Sequence, residues 1–214
     1  MSLTGRIAEA ARAERLAVLG TLPTLAADGL DGIGGIVLLG PDEPGFWPHF
    51  KHSAEARDGA PDPIDRWSMR VITALAGRFD AVPLFPFGGP PWHPFIAWAK
   101  RSGRAHVAPV GLLAHDTAGL FVSYRGALGV AEPLPASDRP SPCAPCPAPC
   151  RTACPVDAFA GGSYDVAACK AWLRSDAGRD CRAGGCLVRR ACPVGAHRRL
   201  PEHSAFHMEA FLAS

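Results

Sequence analysis

All eight cysteines of this 214-residue chain fall within the fifty residues from Cys143 to Cys192, and none precedes them. Thiols gathered in so short a stretch must fold around one another or around something they share. In order they read Cys143-x2-Cys146-x3-Cys150-x3-Cys154-Pro155, then Cys169, then Cys181-x4-Cys186-x5-Cys192-Pro193. The two Cys-Pro pairs continue alike, as ACPVDA and ACPVGA, an internal pseudo-repeat. Before the first cysteine lies EPLPASDRPSP, Glu132 to Pro142, whose prolines favour an extended connector. The expected boundary is near residue 138, separating a domain over 1–138 from a cysteine-rich domain over 139–214.

Several classes drop out on composition. Hydrophobic residues make up 48% and charged residues 20%, a globular balance rather than a disordered one. A net charge of +2, with no basic tract interleaved with aromatics, argues against a nucleic-acid partner. The opening MSLTGRIAEAARAERLAVLG carries Arg6, Glu9, Arg12, Glu14 and Arg15, where a secretory signal needs an unbroken apolar core. No run approaches the roughly 18 apolar residues of a bilayer span, so no membrane partner is expected. The expected location is the cytoplasm, where thiols stay reduced and eight cysteines need a reason other than disulfides.

The first run resembles the bacterial ferredoxin pattern C-x2-C-x2-C-x3-C-P with one extra residue between its second and third cysteines. The second run is looser but keeps the closing Cys-Pro. A short thiolate loop lets successive backbone amides point at a cluster's sulfides, and proline after the last cysteine turns the chain away. In such ferredoxins the fourth cysteine of each run ligates the other run's cluster. Carried over, this implies one [4Fe-4S] cluster on Cys143, Cys146, Cys150 and Cys192, and a second on Cys154, Cys169, Cys181 and Cys186. Three alternatives stay open. Structural zinc is only roughly supplied by Cys143/Cys146 and Cys181/Cys186. Disulfides suit a chain without a secretory signal poorly. The looser second run also leaves room for a single cluster. Flanking the ligands, Asp165–Asp176 has helical periodicity that seats Cys169, with Trp172 as packing. The tail EHSAFHMEAFLAS reads as a closing helix docked through Phe206 and Phe211. His197, His203 and His207 are candidate ligands, although solvent-facing or capping histidines are far commoner.

The cysteine-free half reads as α+β with a mainly antiparallel sheet. Apolar Ile7, Ala10, Ala11, Leu16 and Leu19 predict a helix from about Leu3 to Leu19. Ile33–Leu39 predicts a buried strand, and its glycines precede the strand, which excludes a dinucleotide fingerprint. A helix is expected over Asp65–Arg78 with Pro63 near its first turn, a strand at Val82–Phe87 and a short helix at Pro94–Lys100. Val110–Ala114 and Leu120–Leu128 predict a hairpin around the turn His115–Gly119. The aromatics of Phe85–Trp98 either line a flat apolar pocket or pack a loop.

This domain followed by that cysteine pattern resembles the epoxyqueuosine reductase and reductive dehalogenase group. Those proteins join a nitroreductase-like, cobalamin-binding domain to a ferredoxin-like two-cluster module. The segment Val110–Val130 also resembles the cobalamin-processing CblC proteins in a His-x3-Gly-x5-Arg-Gly pattern, carried here by His115, Gly119, Arg125 and Gly126. The glycine-rich segment that epoxyqueuosine reductases carry before this hairpin is replaced here by RSGRAHVAPVG, and no catalytic acid has a counterpart. The resemblance implies two [4Fe-4S] clusters and a cobalamin cofactor contacted by those four residues. It implies an iron–sulfur electron-transfer protein, a cobalamin-dependent or cobalamin-processing reductase with a redox partner protein and a corrinoid as the electron acceptor. Two alternatives are a ferredoxin-type carrier whose first domain docks a partner protein, and a zinc-stabilised adaptor.

Overall fold

A computed structural model describes residues 1–213. In chain order they form α1 (Leu3–Ala13), β1 (Leu16–Pro23), β2 (Gly35–Pro41), α2 (Phe46–Lys51), α3 (Pro63–Arg78), β3 (Val82–Leu84), α4 (Phe95–Arg101), β4 (Ala105–Val107), β5 (Leu113–His115) and β6 (Gly126–Val130). After the connector come α5 (Val166–Arg174), α6 (Arg179–Gly184), α7 (Leu187–Arg190) and α8 (Pro201–Ala213). The class is mixed α+β, with eight α-helices and two small antiparallel sheets among the described residues. No helix among these residues is long and apolar enough to cross a membrane.

The chain groups into two units, Met1–Arg104 with Ser123–Arg139, and Ala105–Val122 with Pro140 onward. Ala105–Val122, which lies upstream of the boundary expected near residue 138, groups with the cysteines.

The first unit is built on a four-stranded sheet in the order β1-β2-β6-β3, every neighbouring pair antiparallel. Ile36, Val37, Leu38 and Leu39 of β2 are wholly buried, as a strand covered on both faces must be. Against this sheet α3 turns Ile64, Trp67, Val71, Ile72 and Leu75 inward at three- and four-residue spacing. Pro63 takes its first position, where the missing N–H costs nothing.

Two expectations are corrected here. The helix read as far as Leu19 ends at Ala13; Arg15 turns at φ 54 and Leu16 opens β1. Leu16 and Leu19 suit a helical face and a strand equally, and what decides is that the buried β2 needs its backbone groups paired on both sides. Strand β1 supplies one side, from Leu16 opposite Pro41 to Pro23 opposite Gly35, with a bulge between Val18 and Gly20. At Gly20 a methyl group would come within 2.6 Å of Ser102 Oγ, so the strand passes too close for any other residue.

The hairpin expected from Val110–Ala114 with Leu120–Leu128 also does not form. Residues Leu113–His115 pair instead with Ala105–Val107, and Gly126–Val130 lies between β2 and β3. The turn itself is present: His115 and Gly119 exchange backbone hydrogen bonds of 3.0 and 2.9 Å. Every residue of β6 is buried, so it gains more from a central position in the sheet than from a two-stranded ribbon.

Candidate functional site

The second unit gathers its cysteines around a small apolar core of Ala108, Val110, Ala114, Leu120, Cys150 and Val188. They sort into two separate pockets. One is lined by Cys143, Cys146, Cys150 and Cys192; the other by Cys154, Cys169, Cys181 and Cys186. Each set draws on distant parts of the chain, which is why no local stretch builds a site alone. The cavities differ in size, about 180 Å³ at Cys154/Cys169/Cys181/Cys186 and about 20 Å³ at Cys143/Cys146/Cys150/Cys192.

The proline-rich arm shapes the smaller pocket. Cys143 and Cys146 close a turn, with the Cys146 amide donating to the Cys143 carbonyl at 3.2 Å. Ala148 follows at φ 55, and its amide donates to Cys146 Sγ at 3.4 Å. A 3-10 turn, Pro149–Arg151, then presents Cys150, only 6% exposed. The larger pocket repeats the device, with the Ala158 amide donating to Cys154 Sγ at 3.3 Å. Its other thiols come from helices. Asp165 caps α5, which carries Cys169; Cys181 lies in α6; Cys186 immediately precedes α7. Tyr164 stacks on Phe159 with ring centroids 4.7 Å apart, and it donates a hydrogen bond to Cys169.

Burial pushes the thiols of Cys143, Cys150, Cys169 and Cys186 up. All eight cysteines are free thiols, with no disulfide among them. Among the described residues no group of three or more His, Cys, Asp or Glu could hold a metal ion. That finding overturns the reading of the chain as an iron–sulfur electron-transfer protein that reduces a corrinoid. The ferredoxin-type carrier and the zinc-stabilised adaptor fall with it. The physical reason is that the thiols wall cavities, whereas a metal ion needs its donors converging on one point at about 2.0–2.3 Å.

The four residues of the histidine–glycine–arginine pattern divide between the units. His115 is completely buried, and its Nδ1 accepts the Thr117 and Ala118 amides at 3.2 and 3.3 Å. Gly119, at φ 53, packs against the segment after Cys192: a methyl group there would collide with the Val194 carbonyl and lie 3.0 Å from Cys192 Sγ. This turn therefore props Cys192. Gly119→Ala is expected to displace Cys192 and lower thermal stability by about 1–3 kcal/mol, read by calorimetry, with faster alkylation of Cys192 than in the unaltered chain. In the first unit, Arg125 pairs with Asp65 at 3.0 Å, burial pushing the arginine down and the carboxyl up. Gly126 lies in β6, where a methyl group would meet Ile72 at 2.7 Å. Trp98, one of the aromatics expected at a flat pocket, is buried and packs on Phe95 with centroids 5.1 Å apart.

Sequence reasoning missed several wall residues. Ala108, Leu112 and Leu120 come from the cysteine-free segment and carry no signal. Trp172 and Arg189 both line the larger pocket, and their closeness in sequence to Cys169 and Cys186 was the available clue. In α8, Phe211 reaches that pocket, whereas His203 is 1% exposed rather than solvent-facing, its Nε2 3.1 Å from that of His207. Ser214, the end of the expected closing helix, lies outside the described residues. Compared with family models, curated proteins and solved structures, the chain gives no match.

Proposed function

We propose that the second unit is a thiol-based binding module, each pocket taking up one compact guest ligated by the four cysteines that wall it. The observation that carries this reading is the sorting of eight free thiols, four and four, into two separate apolar pockets. Reduced thiols have no need of such gathering for packing alone, and four soft donors around an apolar cavity favour a thiophilic group wider than a single ion. The Ala148 and Ala158 amides already directed at sulfur support ligation by thiolates, since such donors stabilise the charged form. The cofactor proposed on this donor set is a four-thiolate [4Fe-4S] cluster in each pocket. The chain's own share is to hold this group, exclude water and direct amides at its sulfurs.

The test is anaerobic loading of the full chain with ferrous iron and sulfide, followed by titration of the remaining thiols. Two guests per chain and loss of all eight reactive thiols are expected. Thiols that stay fully titratable after loading would sink the reading.

A further inference from the structure

The two pockets differ in the charge on their walls. The lining of the Cys143/Cys146/Cys150/Cys192 pocket is apolar apart from its thiols, with no charged side chain. Arg189 lines the other, three residues after Cys186. One of its guanidinium nitrogens donates to the Leu120 carbonyl, and no carboxylate pairs with it among the described residues. Its neighbour Arg190, by contrast, pairs with Asp180. The groups that face Arg189 electrostatically are Cys186 and Tyr164. Arg189 is half-buried, and a cation drawn even partly out of water without a carboxylate partner is destabilising.

A second, independent observation points the same way. Trp172 also lines this pocket, and its indole Nε1 is buried with no hydrogen-bond partner. A buried donor left unmade destabilises the fold until an acceptor arrives. An unpaired cation and an unmet donor in one cavity wall are both relieved by the same kind of occupant.

We infer that the Cys154/Cys169/Cys181/Cys186 pocket is built for an anionic, hydrogen-bond-accepting guest, with Arg189 balancing its charge and Trp172 donating to it. This rests on the thiol-binding reading and deepens it: the two pockets are not equivalent, and only one selects for negative charge. Arg189 and Trp172 are positioning residues, since the thiols do the ligating.

The experiment uses the full chain, reduced and anaerobic, loaded with ferrous iron and sulfide, with retention measured against a competing chelator. A Cys192→Ala background reads the larger pocket alone, and a Cys169→Ala background reads the smaller. In the first background Arg189→Met is expected to weaken retention by about 10- to 100-fold, the usual scale for a group just outside the ligands. Arg189→Lys should restore most of it, and Trp172→Phe should cost about tenfold. In the second background all three substitutions should leave retention unchanged. Unaltered retention in Arg189→Met, equal losses in both pockets, or a loss that lysine does not restore would each overturn the inference. Failure of the unsubstituted chain to load either pocket would overturn the thiol-binding reading itself, and the inference with it.

Discussion

Replacing Cys192 by alanine will empty the pocket of Cys143, Cys146 and Cys150 while the other pocket still fills. These three cysteines lie within eight residues of one another, and Cys192 is more than forty residues away, yet all four line one cavity. Alanine removes one of four donors and leaves an opening where Pro193 and Val194 otherwise close the wall. Loss of a direct ligand should exceed the roughly 10–100-fold cost of disturbing a group behind the ligands. Loaded anaerobically with ferrous iron and sulfide, the variant should carry one guest instead of two. Alkylation and peptide mapping should then find Cys143, Cys146 and Cys150 reactive, and Cys154, Cys169, Cys181 and Cys186 protected. The converse pattern, with Cys181 and Cys186 exposed, would show that the pockets are wrongly divided. Cys169→Ala should give that converse pattern.

The second large effect lies in the first unit and concerns its stability. Asp28→Ala should destabilise this unit by about 3 kcal/mol, since it breaks a largely buried ion pair and strands an indole donor together. The Asp28 carboxylate is 5% exposed and accepts from Arg101 at 2.7 and 3.0 Å, from Trp98 Nε1 at 2.9 Å and from the Leu25 amide at 2.7 Å. Arg101 is 28% exposed, which keeps the loss at the lower end of the range for buried pairs. Trp98 is wholly buried, so without Asp28 its N–H has no water to turn to. A melting temperature lower by about 10 °C is the expected reading.

Asp28 also sets a pH dependence. Burial pushes its carboxyl up, but the hydrogen bonds from Arg101, Leu25 and Trp98 outweigh that, and the net displacement is downward from 3.8. A carboxyl held lower in the folded than in the unfolded chain stabilises above the unfolded value, and that stabilisation is lost as pH falls through the folded one. The difference between the unaltered chain and Asp28→Ala should therefore hold steady from neutrality to about pH 5 and shrink below 4. A difference that grew on acidification would contradict this assignment.

Much of the first unit was legible because its signals are local and periodic. The buried run of β2 and the inward face of α3 are written in consecutive side chains, and Pro63 marks where that helix begins. Where two periods fit the same residues, the sequence could not choose. Leu16 and Leu19 suit a helix and a strand, and only the demand of β2 for a hydrogen-bonded neighbour settles the matter. The misread hairpin has the same origin, since β6 is a good strand whose partners lie far away in sequence.

The cysteine pattern alone singled out eight residues and set them apart in sequence from the upstream half. The ferredoxin crossover implied a division into two fours, and the pockets are lined by those same fours. Only the tertiary structure decided what stands behind the thiols. It brought Ala105–Val122 into the cysteine-rich unit, set the His115–Gly119 turn under Cys192, and placed Arg189 and Trp172 in the wall of one pocket only. The reason is physical. A residue's spacing from a cysteine is recorded in the chain, but the charge and donors that face it come from elements folded back across it.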